Sequence, residues 1–286
     1  MSRTVHFVSL GCPKNRVDSE VMLGVTLGGG YEHVDDPAQA ELIVVNTCGF
    51  IGEAKKESID TIFEMARQKD EGRCEKLVVT GCLAQRHPKE LADQIPEIDH
   101  LLGSSDMMKL REVLAGSEER VLVGTPAAWL TSAEAPRVLS TRPGSAYVKI
   151  AEGCNRTCSF CVIPELRGKQ RSRSIEDVVR EVESLVERGV KEINLVSQDT
   201  VAYGRDRPER PRLDALVRAV ADVPGVVWTR LFYLYPETLD DALLELLSSH
   251  ERVLPYVDMP LQHAADAMLR RMRRGHGGAR LRRVVD

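Results

Sequence analysis

Apolar runs alternate with helical patterns along the first half of the chain. Apolar runs at 6–10, 40–47 and 76–80 predict strands. Between them, apolar residues recur at helical spacing, so the pattern is that of a parallel sheet covered by helices. The helices predicted in this half are 15–27, 53–69 and 107–114.

The first of these helices carries signals at both ends. Asn15 is followed three residues later by Asp18, which is the arrangement of a helix cap and its partner. The glycines at 28–30 then predict that the helix ends at Leu27. We therefore expect Asn15 to act as the helix cap.

A second series of strands and helices begins near Gly144. The run 146–151 predicts a strand, and Ser174 and Gly189 predict the two ends of a helix. Such alternation predicts a (βα) barrel, but a complete barrel needs about 250 residues, so this region has room for about four or five of the eight units. We expect a truncated barrel with an unpaired edge. Further predicted strands are 192–197, 226–235 and 253–259, and further helices are 213–223, 239–248 and 279–286.

A weakly patterned segment in which prolines accumulate separates the two series. The predicted fold class is therefore α/β, with two domains. We expect a parallel-sheet domain at 1–116, a connector at 117–143 and a partial TIM barrel at 144–286.

Composition narrows the protein class. The chain of 286 residues is 43% hydrophobic, and it shows neither a secretory signal nor a run that could span a membrane, so we expect a cytoplasmic protein. Its seven cysteines are an odd number in a reducing compartment, which favours metal ligands over disulfides. A net charge of −4 gives no general affinity for phosphate backbones and argues weakly against a nucleic-acid substrate.

Three of the cysteines form a CxxxCxxC loop, namely Cys154, Cys158 and Cys161. A four-iron cluster takes four thiolates, so a loop that offers three leaves one iron open to a small molecule. The alternative is structural zinc, but closed zinc sites use four ligands, usually in two pairs, and no second pair follows. The loop therefore predicts an open iron-sulfur site.

A second trio, Cys12, Cys48 and Cys82, lies just beyond three of the predicted strands. The carboxyl ends of parallel strands share one edge of the sheet, so these three thiols are expected to converge there. Cys74 precedes its strand and is excluded as a ligand because it is expected at the opposite edge. The alternative is that all are small buried apolar residues, a common fate of free cysteine.

The two trios lie in segments that resemble the radical S-adenosylmethionine (SAM) methylthiotransferases. The loop GCNRTCSFCVIP at 153–164 is similar to their radical-SAM loop. Within the family, residues 13–15, 197–200 and 260–264 are similar to the branch that modifies a ribosomal protein. The amino-terminal segments of the resemblance are LGCPKNRVDSE at 10–20, NTCGF at 46–50 and GCL at 81–83.

The resemblance implies a transferase that places a methylthio group on the β-carbon of an aspartate in ribosomal protein S-twelve. It implies two [4Fe-4S] clusters, one on each cysteine trio, with SAM as both radical source and methyl donor. It also implies an electron donor such as flavodoxin or ferredoxin, a sulfur donor, a monomeric enzyme and a carboxy-terminal TRAM domain that this chain does not include. The alternatives are the same chemistry on a transfer-RNA adenosine, or an iron-sulfur fragment without catalysis.

Four other residues are candidates for a SAM pocket. The protein needs such a pocket because no side-chain acid or base can abstract hydrogen from an unactivated carbon, so the cofactor must do so. Gln198 and Asp199 end a predicted strand and could face the methionine part of SAM, or simply cap the strand. Arg173 could pair with the SAM carboxylate. His263 follows the last predicted strand and could be a pocket group or a packed histidine.

Overall fold

The computed structural model describes residues 3–126 and 128–285, so Met1, Ser2, Ala127 and Asp286 lie outside the described residues. The chain divides into two compact units, which share the predicted connector 117–143 between them. The amino-terminal unit comprises 1–129, 135–140 and 165–168. The carboxy-terminal unit comprises 130–134, 141–164 and 169–286.

The amino-terminal unit is built on a parallel sheet. Among the described residues the sheet has six strands in the order β2-β1-β3-β4-β5-β6, so β1, β3 and β4 are neighbours. The strands are β1 Arg3–Ser9, β2 Tyr31–His33, β3 Leu42–Thr47, β4 Lys76–Gly81, β5 His100–Leu102 and β6 Val121–Leu122.

Both faces of this sheet are buried. Successive side chains of β3 point to opposite sides, and all six residues of the strand are buried. Ile43 packs in a cluster that includes Ile62 of the second helix. Val44 packs in a different cluster that includes Met22 of the first helix. The helices of this unit are α1 Pro13–Gly28, α2 Gly52–Ala66, α3 Gln68–Glu71, α4 Cys82–Arg86, α5 Pro88–Gln94 and α6 Leu110–Leu114.

The first helix begins earlier than expected. Cys12 is the residue that precedes it, and Pro13 occupies its first turn, where a missing N–H costs nothing. The prediction that Asn15 caps this helix is therefore wrong. Asn15 is a buried residue of the first helical turn, and its side chain bonds to other parts of the unit.

The carboxy-terminal unit contains a parallel sheet in the order β11-β10-β7 and an antiparallel pair β8-β9. Ser174 caps the helix α8 by accepting a hydrogen bond from the Asp177 amide at 3.2 Å, as its sequence position predicted. The strands are β7 Ser145–Lys149, β8 Ala151–Glu152, β9 Arg171–Ser172, β10 Glu192–Val196 and β11 Trp228–Leu231. The helices are α8 Ile175–Glu187, α9 Leu213–Ala221, α10 Asp241–Ser249, α11 Asp266–Arg271 and α12 Gly278–Val285. The short helix α7 Ile163–Arg167 begins in this unit, and its residues from 165 onward belong to the amino-terminal unit.

The strand predicted at 253–259 is not a regular strand. A single parallel bridge joins Val253 to Thr229, and the chain continues without a ladder among the described residues. The strand predicted at 226–235 also ends early, at Leu231, because Tyr233 has a φ of 60° that an extended strand cannot contain. No helix in the described part of the chain combines the length and the apolar character that a membrane span requires.

Candidate metal centres

The amino-terminal trio of cysteines lies at one edge of the six-stranded sheet. Cys12 follows β1 and directly precedes α1, Cys48 follows the last residue of β3, and Cys82 follows the last residue of β4. Because these three strands are parallel neighbours, their carboxyl ends bring the three cysteines to the same edge.

Glycines beside the cysteines let the three loops touch. A methyl group added at Gly11 would lie 2.9 Å from Cys48 Cβ, and one added at Gly49 would lie 2.8 Å from the Cys82 carbonyl. Gly81 has a φ of +94° and faces the backbone of Thr47. Larger residues at these positions would push the loops apart, so the glycines are required for the trio to converge.

A polar frame fixes the position of each loop. The Asn15 side-chain amide donates to the Leu10 carbonyl at 3.1 Å and to the Thr47 carbonyl at 3.0 Å. Asn46 donates to the Asn15 carbonyl at 2.8 Å and to Ser19 Oγ at 2.9 Å. These bonds join the start of α1, which follows Cys12, to the end of β3, which precedes Cys48.

The thiols of the trio influence one another electrostatically. Burial raises the pKa of Cys82, Arg167 opposes that rise, and the negative charges of Cys12 and Cys48 add to it. Arg167 is itself almost fully buried and donates to Asp18 at 2.7 Å and Asn15 at 2.6 Å. The cationic Arg167 therefore lies near the cysteine trio, and a nearby positive charge favours the thiolate form that binds metal.

Cys74 has a different environment. It lies before β4 and packs in the apolar cluster with Ile43 and Ile62. Burial raises the pKa of its thiol to about 11. The structure thus places it at the other edge of the sheet from the trio.

In the carboxy-terminal unit, the CxxxCxxC loop follows β8, with Gly153 at a φ of +83° making the turn. Burial raises the pKa of Cys154 to about 11, and the charges of Asp199, Cys161 and Cys158 add to the rise. The pKa of Cys154 is therefore sensitive to the charges of both other thiols of its loop.

Two N–H groups point at sulfur atoms of this loop. The Arg156 amide donates to Cys154 Sγ at 3.4 Å, and the Arg274 guanidinium donates to Cys158 Sγ at 3.5 Å. Arg156 also pairs with Asp199 at 2.6 Å and with Glu237 at 2.5 Å. No local pattern in the sequence assigns these arginines to the cysteine loop, although Arg156 lies inside the cysteine motif.

Two of the four predicted SAM-pocket residues lie close to the loop. Gln198 donates to Glu152, which also forms a buried ion pair with Lys149, and Asp199 holds Arg156. One side-chain oxygen of Gln198 and one of Asp199 are buried without a hydrogen-bond partner among the described residues. Buried acceptors in this state indicate a place for water or a polar ligand.

The other two candidates are placed differently from the expectation. The Arg173 guanidinium is buried and bound by Asp177 at 2.6 Å, by Glu181 and by the Lys149 carbonyl, so its charge is already neutralised inside the unit. His263 is exposed, and its ring nitrogen accepts from the Ala265 amide at 2.9 Å. Neither joins the pair formed by Gln198 and Asp199.

Each of the two donor sets consists of three thiols, and cysteine thiolates are the usual ligands of iron-sulfur clusters. Within 3–126 and 128–285, no three His, Cys, Asp or Glu side chains gather tightly enough to hold one metal ion. A cubane of four irons places its thiolate ligands farther apart than one ion does, and it accepts N–H bonds at its sulfur atoms. Two sets of three interacting thiols, with N–H donors aimed at sulfur in the second, match that requirement.

Comparison with known proteins agrees with this chemistry. Residues 4–103 match the uncharacterised protein family UPF0004, and residues 148–286 match the Radical SAM superfamily. The fold is similar to that of the radical SAM methyltransferase TsrM from Kitasatospora setae, with a TM-score of 0.66 and 17% identity over 99% of this chain and 65% of that one. It is also similar to the cobalamin-dependent radical SAM enzyme OxsB, with a TM-score of 0.59 and 13% identity over 98% of this chain and 46% of that one. At these identities the likeness shows the fold alone.

Curated relatives are much closer in sequence. The chain is 74% identical to the ribosomal protein uS12 methylthiotransferase RimO of Sorangium cellulosum, over 100% of this chain and 60% of the relative. It is 50% identical to the RimO of Anaeromyxobacter sp. strain K, with 100% and 61% covered, and 47% identical to that of Myxococcus xanthus, with 99% and 59% covered. Over its full length the chain is similar to relatives that are named uS12 methylthiotransferases. It spans about three fifths of the length of the curated relatives that it matches.

Proposed function

We propose that this chain carries the cluster-binding part of a methylthiotransferase that modifies the β-carbon of an aspartate in ribosomal protein uS12. The observation that carries the proposal is the presence of two separate trios of cysteines, one at the carboxyl ends of β1, β3 and β4 and the other in the CxxxCxxC loop after β8. A radical enzyme that only cleaves SAM needs one such site, whereas sulfur insertion needs a second metal site to present the sulfur. The names of the curated relatives supply the substrate.

Each trio would hold one [4Fe-4S] cluster, with Cys12, Cys48 and Cys82 binding the first and Cys154, Cys158 and Cys161 binding the second. When bound, the second cluster supplies the electron that cleaves SAM, and the first supplies an open iron for the sulfur to be transferred.

The chain's own residues hold these groups in place. Asn15 and Asn46 fix the relative positions of the loops of Cys12 and Cys48. Gln198 and Asp199, whose free acceptors are buried beside the CxxxCxxC loop, would receive the amino group of SAM. The proposal gives no role to Arg173, whose guanidinium is bound by Asp177 and Glu181, or to the exposed His263.

The reaction requires further partners that the proposal names by class. An electron donor such as flavodoxin or ferredoxin would reduce the second cluster, and a sulfur donor would replenish the first. The chain would act as a monomer, and a substrate on the ribosome places the reaction in the cytoplasm.

The test is anaerobic reconstitution of the chain with iron and sulfide, followed by incubation with SAM, a reductant and purified uS12. We expect 5′-deoxyadenosine to form and a uS12 peptide to gain the mass of one methylthio group less that of the hydrogen it replaces. Cys12→Ala and Cys154→Ala should each abolish the mass gain, and Cys74→Ala is the matched control that should retain it. Methylthio-adenosine in transfer RNA with unmodified uS12 would redirect the proposal to the other branch. Intact clusters without deoxyadenosine would refute it in favour of an electron carrier.

A further inference from the structure

Arg274 lies at the CxxxCxxC loop, although it is 116 residues from the cysteine that it contacts. Its guanidinium donates to Cys158 Sγ at 3.5 Å and, through the other terminal nitrogen, to the Pro260 carbonyl at 2.7 Å. Only 4% of the residue is exposed. A buried cation is thus directed at one of the three thiols that the second cluster would use.

The position of this guanidinium is fixed from several sides. It lies over the ring of Tyr235, with 4.0 Å between the guanidinium carbon and the ring centroid. The Tyr235 hydroxyl donates in turn to the Arg274 carbonyl. Such contacts stabilise a cation that has left water, so Arg274 is held towards Cys158 before any cluster binds.

One donor of Arg274 is still unused. Its Nε is buried and has no hydrogen-bond partner among the described residues. Buried donors without partners are rare in folded proteins and indicate an acceptor that binds there. An iron-sulfur cluster has such acceptors in its sulfide and thiolate sulfurs.

We propose that Arg274 sets the reduction potential of the cluster on Cys154, Cys158 and Cys161 by donating to Cys158 Sγ. Reduction adds one negative charge to the cluster, and a nearby cation with an N–H···S bond stabilises that charge. Arg274 therefore makes the cluster easier to reduce. Tyr235 is the positioning residue that holds the guanidinium. This inference rests on the proposed function only in assuming that the loop binds a cluster.

The test measures the midpoint potential of that cluster alone, without SAM or substrate. A background in which Cys12, Cys48 and Cys82 are all replaced by alanine removes the other cluster, and the reduced signal is followed by electron paramagnetic resonance. We expect Arg274→Met to shift the one-electron equilibrium about tenfold towards the oxidised form, which is about 59 mV more negative. Arg274→Lys, which keeps the charge but cannot bind both acceptors at once, should fall between the two.

Arg270→Met is the matched control, because Arg270 is an exposed arginine on the neighbouring helix α11 and its potential should equal that of the parent. Tyr235→Phe keeps the ring and removes the hydroxyl, so it should shift the potential in the same direction by less. If Arg274→Met binds four irons and its potential is unchanged, the inference is wrong. If that variant loses iron, Arg274→Lys and Tyr235→Phe decide, and parent-like potentials in both would refute the inference.

The outcome is separable from that of the proposed function. A shifted potential in an enzyme that never modifies uS12 would support the inference and refute the substrate assignment. Normal methylthio transfer with an unshifted potential would support the substrate assignment and refute the inference.

Discussion

The Ser58 hydroxyl forms hydrogen bonds with both the backbone amide and the backbone carbonyl of Cys48. Its Oγ accepts from the Cys48 amide at 3.0 Å and donates to the Cys48 carbonyl at 3.0 Å, and Ser58 itself is completely buried in α2. The hydroxyl therefore fixes a cysteine loop to a helix of the same unit. No sequence pattern identified this contact, because a serine inside a helix has no distinguishing neighbours.

Replacing this hydroxyl should weaken the first metal site. Ser58→Ala removes the partner of a partly buried amide and a partly buried carbonyl, which should lower the free energy of unfolding by about 1–3 kcal/mol. It should also reduce the iron bound by the first trio, because the Cys48 loop is no longer fixed. Urea unfolding and iron analysis measure the two effects. Ser249→Ala, at an exposed position of α10, should change neither.

Asn15 should be sensitive even to an isosteric change. Asn15→Asp replaces the amide that donates to the Leu10 and Thr47 carbonyls with an acceptor that faces them. We expect a loss of about 2–4 kcal/mol from two lost bonds and the new repulsion, although Arg167 offsets part of it. Thermal unfolding measures the loss of stability, and Asn155→Asp, the same substitution in the other unit, is the comparison variant. A variant as stable as the parent would contradict the role given to Asn15.

Breaking a buried ion pair should lower the free energy of unfolding far more than breaking an exposed one. Arg137 pairs with Glu20 at 2.6 Å, with side-chain exposures of 6% and 1%, whereas Lys56 and Asp60 are 78% and 60% exposed. Arg137→Met should cost about 3–5 kcal/mol because it leaves Glu20 buried and charged. Lys56→Met should cost at most about 1 kcal/mol. Equal losses in urea unfolding would show that the Arg137–Glu20 pair does not stabilise the fold as its burial predicts.

Asp177 should make stability depend on pH in the acid range. Burial raises the pKa of Asp177. The hydrogen bond from the Ala133 amide and the charge of Arg173 lower it by more than that, so the pKa in the folded protein is below its usual value. A carboxylate with a depressed pKa contributes stability above its unfolded value of about 3.9 and loses that contribution as pH falls through its folded value. Asp177→Asn should therefore be less stable at pH 7, and the difference should shrink below about pH 4. A difference that stays constant between pH 7 and pH 3 would contradict this assignment.

The sequence predicted the regular parts of the molecule better than the irregular ones. Continuous apolar runs placed β3 and β4 correctly, and the position of Cys48 and Cys82 after them followed from that alone. The interpretation of Asn15 was wrong because an Asn-to-Asp spacing also occurs inside a first helical turn that begins with proline. The strand expected at 226–235 ended early because apolar content does not reveal a residue such as Tyr233 with a positive φ.

The functional contacts outside the cysteines could not be predicted for a different reason. Arg167 reaches Asp18 across 149 positions and Arg274 reaches Cys158 across 116. Periodicity reports only neighbours within a few turns of a helix or strand. Arginines in a chain with many of them carry no local mark of burial, so such pairs emerge only once the fold brings them together.

The most direct test of two three-thiolate sites is the iron and sulfide content of the anaerobically reconstituted chain. We predict about eight irons for the parent and about four for each of two triple-alanine variants, one lacking Cys12, Cys48 and Cys82 and the other lacking Cys154, Cys158 and Cys161. Cys74→Ala should retain the content of the parent. About four irons in the parent, with no loss when the amino-terminal trio is removed, would contradict the account.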